Sequence, residues 1–392
     1  MKRSVRNCAL LLITACVLLY LSIHLLQGSS PLRTSNYNTY VLQAMRWRQG
    51  AIALQENVAH LELAVFEGKY FVSFPPVPTL PIFLLTFLFG ENVPDALLVQ
   101  LYSLGACLLF FVMLSRRMTP EKAAALSLLG CFGSSLLALM QDGAVWYQAQ
   151  TLALLLMAAS LERMDTGKPT TGLLFYALSV GCRPFNALYG PLLMMLYTMR
   201  QDNLKTSLNR MAPGILLGLG VALLLGAYNY ARFGQILEFG HNYLPEFSTQ
   251  GGTQFSLKHI ANNATTFLWG SPVQGTDTGG WELKKFGFSL FLANPLLLCL
   301  VLWAVRDTIQ GTMTTGKTLT AIVFLIHATL LMSHRTGGGY QYGARYWVDC
   351  LPYGFLYLSQ MRKGQWGIIA LLPMGMGLVM AVYGASVIRL PL

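Results

Sequence analysis

The chain has 392 residues, of which 54% are hydrophobic and only 11% charged, a composition that excludes a soluble globular domain and indicates a polytopic membrane protein. The formal net charge of +11 sits mostly in short loops between apolar runs, which is the positive-inside pattern rather than a nucleic-acid-binding surface. The seven cysteines include no CxxC and lie mostly inside apolar segments, so they read as small hydrophobic packers and argue against a disulfide framework or a thiolate metal site.

At the N-terminus, Lys2, Arg3 and Arg6 precede an apolar run over 8–26. The ITAC at 13–16 is a loose lipobox, but the run continues past Cys16, so it reads as a retained first helix with its basic end inside the cell. A first outer loop over 27–95 follows. It carries an amphipathic helical pattern at 40–47 and then the most unusual stretch of the chain, ELAVFEGKYFVSFPPVPTLPIFLLTFLF over 62–89. Pro75 and Pro76 cannot sit inside a helix, because each lacks an N–H and clashes with the preceding turn. The apolar run after them, 77–89, is shorter than the about 20 residues a spanning helix needs. It is expected to lie flat at the membrane surface, as a floor below a polar, aromatic wall. Arg116 and Arg117 follow the next helix, 96–114, and turn it inward; a spanning 77–89 would put them outside.

Further helical runs are expected at 123–139, 144–161, 172–181, 185–197, 213–230, 286–305, 319–333, 346–358 and 366–387. Gln141-Asp142-Gly143 makes a tight outer turn, Arg183-Pro184 the tip of a short hairpin, and 231–285 a second outer loop rich in Gly, Asn and aromatic residues. The expected fold is therefore an all-α transmembrane bundle of about 11 spans, with surface helices in the first outer loop. It forms a single integral membrane domain over 1–392, with the N-terminus inside and the C-terminus outside, most simply in a bacterial inner membrane.

The long loops, the aromatic–polar clusters and most acids lie on the outer side, so an active site is expected there. Arg183, Arg232, Arg335 and Arg345 stand at outer helix ends, where a charge near hydrocarbon is costly unless paired or functional, and arginine's planar fork suits phosphate. Snorkelling to headgroups is the simpler alternative for any one of them. Arg345, in YQYGARYWVDCLPY, and Arg183, in GCRPF, are the stronger phosphate ligands. Among the acids, Glu62 adjoins the 62–89 element and Asp142 sits on the tight turn; either is a candidate base. Asp349, four residues after Arg345, is placed to pair with it on one helix face. His60, His241, His259 and His334 show no ligand spacing; no metal site is assigned, although a divalent ion is compatible with this chemistry. Asn263-Ala264-Thr265 is a lone glycosylation sequon.

The GKYFVSFPP segment at 68–76, the Arg-Pro tip at 183–184 and the GARY helix start at 343–346, in that order behind a retained first helix, together resemble the multi-spanning, lipid-phosphate-sugar-dependent glycosyltransferases of the type-C fold. Relatives of that kind include protein O-mannosyltransferases and the aminoarabinose transferase of lipid A. The resemblance implies an enzyme that takes a sugar from a polyprenyl-phosphate carrier on the outer face and passes it, with inversion, to a lipid, glycan or protein acceptor. It implies a phosphate site at Arg345 and Arg183; Lys69, just before the proline pair, is placed to assist, and Asn38, Tyr70 and Tyr346 are the candidates for the substrate lining. Such enzymes place an acid soon after the first helix, but Asn36 and Asn38 stand there, and an amide cannot act as a base. Glu62 or Asp142 would have to serve. A transporter or flippase of lipid-linked glycans and a non-catalytic carrier-binding scaffold are the competing readings; the missing acid keeps the scaffold in contention, while the lack of paired halves weighs against the transporter.

Overall fold

Apolar runs interrupted by proline and glycine pairs set the layout of the chain, which we describe from a computed structural model covering residues 3–248, 254–362 and 370–390. The first run forms α1 (Arg3–Gln27), and the first loop contributes α2 (Thr39–Arg48), strands β1 (Leu63–Phe66) and β2 (Lys69–Val72), and α3 (Thr79–Phe89). Helices α4 (Asp95–Ser115), α5 (Pro120–Phe132), α6 (Leu136–Leu139), α7 (Val145–Asp165), α8 (Pro169–Val180), α9 (Tyr189–Thr198) and α10 (Leu204–Phe233) follow. The second loop holds α11 (Pro245–Ser248), α12 (Lys258–Ala264) and strands β3 (Val273–Gly275) and β4 (Trp281–Leu283). The chain closes with α13 (Leu290–Ala293), α14 (Pro295–Ile309), α15 (Thr315–Ser333), α16 (Leu351–Ser359) and α17 (Leu371–Val387).

Each expected helical run contains a helix among the described residues, though not always over its full length; the start of the last one falls in 363–369, outside the described residues. Among the described residues, four helices (α1, α4, α10 and α15) are long and apolar enough to cross a membrane. The chain is a multi-pass membrane protein.

Several runs are broken, each at an identifiable residue. The run 123–139 splits at Gly133, where an added Cβ would lie 2.5 Å from the Met374 carbonyl, so α17 approaches the backbone there too closely for any side chain. The run 286–305 splits before Pro295, because the ring drives Asn294 out of helical geometry (φ −139°, ψ 68°). A 3-10 turn at Arg345–Cys350 opens the 346–358 run before α16.

The all-α expectation holds for the bundle, and each of the two large loops adds one small β-hairpin. In the first, Leu63 pairs with Val72 and Phe66 with Lys69. The connecting residues Glu67 (φ 49°) and Gly68 (φ 71°) are both left-handed, as a type I′ hairpin turn demands. The alternation of ELAVFEGKYFV across this turn was hidden beside the stronger proline signal.

Helix α4 packs between α5 and α7, and α8 between α7 and α10. Aromatic stacks fill the core, with Phe110 on Phe355 at 3.9 Å and Tyr189 on Tyr353 at 4.1 Å between ring centroids. All seven cysteines are buried and free, as packers should be.

A candidate active site in a cavity between loops

The Pro75-Pro76 segment is stitched to the bundle by its backbone. The Arg232 guanidinium, at the end of α10, donates to the Val72 carbonyl at 2.6 Å; His241 Nδ1 donates to the Ser73 carbonyl at 2.9 Å; and Val77 N–H donates to the Gly181 carbonyl at 3.3 Å. Arg232 is thus spent on loop anchorage, and it lies against Tyr228 with its guanidinium carbon 4.5 Å from the ring centroid. The stitching leaves a cavity of about 620 Å³ between the first loop, the N-terminus of α7, the 182–185 tip, residues 237–247 and 254–255, and the 336–346 stretch.

Glu62 lines this cavity. It sits one residue before β1, with its carbonyl held by Ser73 Oγ at 2.8 Å, and Trp146 Nε1 donates to its Oε2 at 2.9 Å. Burial pushes the Glu62 carboxyl above the usual glutamate range, and Glu246 across the cavity adds to the effect; the Trp146 hydrogen bond and the positive charge of Arg345 pull it back. A carboxylate so placed is poised to accept a proton.

Arg345 faces the same cavity and is only 7% exposed. Its own N–H donates to Gln341 Oε1 at 2.9 Å and its Nε to the Gly338 carbonyl at 2.8 Å. Gly338 adopts φ 113°, a backbone that side chains rarely tolerate. The guanidinium packs against the rings of Tyr346, Trp146 and Tyr147, at 5.0, 5.6 and 5.9 Å. Among the described residues Arg345 makes no ion pair with a carboxylate. A buried guanidinium whose outer N–H groups find no acceptor among the described residues is an anion receptor in waiting.

Arg183 also lines the cavity, but it is neutralised. Its Nε and Nη2 both reach Asp349 Oδ2 at 2.8 Å. The expected Asp349–Arg345 pair is therefore not formed. The 3-10 turn changes the spacing that an α-helix would give, and it turns Asp349 toward the tip. Gln150 Nε2 bridges the two, donating to the Arg345 carbonyl at 2.7 Å and to Asp349 Oδ1 at 3.3 Å. Burial lowers the pKa of His241, and that of His334 to about 4, Arg183 adding to both effects. Both rings are thus neutral at physiological pH, and of these four groups only the arginines bring positive charge to the cavity.

The remaining sequence candidates lie elsewhere. Asp142 does not line the cavity: Oδ2 accepts from Arg33 at 2.6 Å, and Oδ1 accepts from Ser35 Oγ and from Ala144 N–H, the latter at 2.8 Å. Next to it, an added Cβ on Gly143 would come within 2.0 Å of Asp95 Oδ1, so this turn is tightly interlocked. Lys69 is exposed on β2, Tyr70 packs with the hydrophobic residues around Leu54, and the Asn38 carbonyl accepts the first N–H groups of α2. None of the three lines the cavity, whereas Tyr346 does. Arg335 packs on Phe247 at 5.5 Å. The sequon at Asn263 is buried, its amide donating to the Met332 and His334 carbonyls, both at 2.8 Å, so it offers no free acceptor. Sequence reasoning missed Trp146, Gln150 and Gln341, which orient Glu62, Asp349 and Arg345; nothing in the local sequence separates them from belt aromatics and ordinary helix amides. Among the described residues no group of three or more His, Cys, Asp or Glu is arranged to hold a metal ion.

No family model and no curated protein matches the chain. Solved structures do. ArnT from Cupriavidus metallidurans, bound to undecaprenyl phosphate, aligns over 89% of this chain and 59% of its own, with a TM-score of 0.55 and 14% identity. The archaeal oligosaccharyltransferase AglB from Archaeoglobus fulgidus, in complex with an inhibitory peptide and a dolichol-phosphate, aligns over 97% of this chain and 56% of its own, with a TM-score of 0.52 and 10% identity. The chain spans less than two-thirds of the length of either. It has the type-C membrane glycosyltransferase fold that its motifs resemble.

Proposed function

We propose that this protein is a glycosyltransferase that moves a sugar from a polyprenyl-phosphate carrier to an acceptor hydroxyl, with Glu62 as base and Arg345, aided by Arg183, as the phosphate clamp. The single observation that carries the reading is the Arg345 guanidinium, buried in a cavity, without a carboxylate partner, and opening onto the same space as the Glu62 carboxylate. Two structures of similar fold hold undecaprenyl phosphate and dolichol-phosphate respectively, which is the ligand chemistry such a guanidinium would receive.

The step balances as follows. The acceptor oxygen attacks the anomeric carbon and gives its proton to Glu62. The bond between that carbon and the phosphate oxygen breaks, and its electron pair leaves with the phosphate. Arg345 and the remaining N–H donors of Arg183 stabilise that developing charge. One displacement inverts the anomeric centre. Asp142, with both oxygens engaged, is read as an anchor for the start of the first loop, and Lys69 is left outside the clamp.

The test is binding of polyprenyl phosphate to the purified protein in lipid nanodiscs. Saturable binding that Arg345→Ala weakens by about thirtyfold or more supports the reading, since truncating one partner of a desolvated charged contact costs roughly 2–5 kcal/mol. Equal binding by both proteins would reject the clamp.

A further inference from the structure

We propose that Asp349, held by Gln150, sets the charge of the arginine pair so that the cavity favours a singly charged phosphodiester over a doubly charged phosphomonoester; this rests on the donor reading above. Asp349 is only 4% exposed, and its Oδ2 takes both Arg183 contacts. Its backbone is fixed as well, because Tyr189 Oη–H donates to the Asp349 carbonyl at 2.8 Å. Gln150 ties the same carboxylate to the Arg345 backbone. Both guanidiniums lie against the Tyr346 ring, Arg183 at 5.2 Å and Arg345 at 5.0 Å from its centroid, so both act on one ligand group. The pair therefore presents two cations and one buried counter-ion.

The charges of substrate and product differ in a way this arrangement can read. A polyprenyl-phosphate sugar is a phosphodiester with one negative charge. The carrier phosphate left after transfer is a monoester bearing roughly 1.5 to 2 negative charges at neutral pH. One uncompensated guanidinium matches the donor. Two would hold the spent carrier more strongly than the donor and slow its exchange. Asp349 does not touch the ligand in this account; it is a positioning and specificity residue that acts through Arg183.

The experiment uses the full chain in nanodiscs and two probes, a polyprenyl monophosphate and a polyprenyl methyl phosphodiester, with the ratio of their Kd values as readout. Asp349→Asn shifts the ratio toward the monophosphate by on the order of tenfold, the size of one screened unit charge at this range. The double variant Arg183→Gln/Asp349→Asn removes both charges and returns the ratio to within about twofold of wild type, even where both affinities fall. A ratio unmoved by Asp349→Asn, or moved toward the diester, overturns the inference, as does a double variant that keeps the shifted ratio. If Asp349→Asn does not fold, the double variant decides alone: a ratio about tenfold from wild type in either direction overturns the proposal. Wild type binding neither probe would sink the donor reading itself, an outcome distinct from wild type binding both with an insensitive ratio.

Discussion

Asp142→Asn removes one negative charge from the knot that closes the start of the first loop. The carboxylate takes three hydrogen bonds there, from Arg33, Ser35 and the Ala144 N–H. Asparagine keeps an acceptor for Ala144 but turns an amide N–H₂ toward the Arg33 guanidinium. A hydrogen bond to a charged group is worth about 1.5–3 kcal/mol. The Arg33 side chain is 30% exposed, which screens part of the loss, so a net destabilisation of about 2 kcal/mol is expected. In a chain of this size that lowers the thermal midpoint by roughly a few degrees. The assay is the midpoint in detergent, measured beside turnover and KM per folded molecule. The expected result is a lowered midpoint with turnover within about threefold of wild type, since general-base removal alone would cost about a hundredfold or more. A normal midpoint with turnover lost by that larger factor would refute the reasoning and move the base from Glu62 to Asp142.

Arg345→Lys keeps the charge but loses the planar fork, the bond to the Gly338 carbonyl and the packing on three rings. Polyprenyl-phosphate affinity should fall by about tenfold to a hundredfold, read by equilibrium binding in nanodiscs; an unchanged affinity would mean that a point charge suffices. Trp146→Phe removes the donor to Glu62 Oε2 and so raises a carboxyl that burial already holds high. A base works deprotonated, so activity is lost as pH falls through this pKa. The acidic limb of kcat/KM should therefore move to higher pH, by up to about one unit for a bond of roughly 1 kcal/mol. A limb that stays in place would mean that Glu62 is not the titrating group.

Much of the bundle was legible because apolar runs and proline breaks are local signals. The short helix α3 follows from the Pro75-Pro76 break and the shortness of the run behind it, and α2 from its own periodicity. Three residues that line the cavity also stood out: Arg183 and Arg345 because charges at the ends of apolar helices are rare, and Glu62 because it adjoins the 62–89 element. What stayed hidden depends on partners distant in sequence. Asp349 reads as an Arg345 partner only if 345–350 is α-helical, and the 3-10 turn redirects it to Arg183, 166 residues earlier. Asp142 and Glu62 look alike in sequence. They are separated by Arg33 and Ser35 on one side and by Trp146 on the other, contacts that only the folded chain creates. The hairpin at Glu67-Gly68 is a short-range signal that two adjacent prolines overshadowed.

The most direct measurement is sugar transfer in membrane vesicles with the loop face exposed, using a panel of radiolabelled polyprenyl-phosphate sugars and the acceptors of the same membrane. The expected result is transfer from one donor by the wild type, abolished in Arg345→Ala and in Glu62→Gln while both variants keep the wild-type thermal midpoint. Transfer that persists in folded Glu62→Gln and Arg345→Ala would contradict the assignment of base and clamp to this cavity.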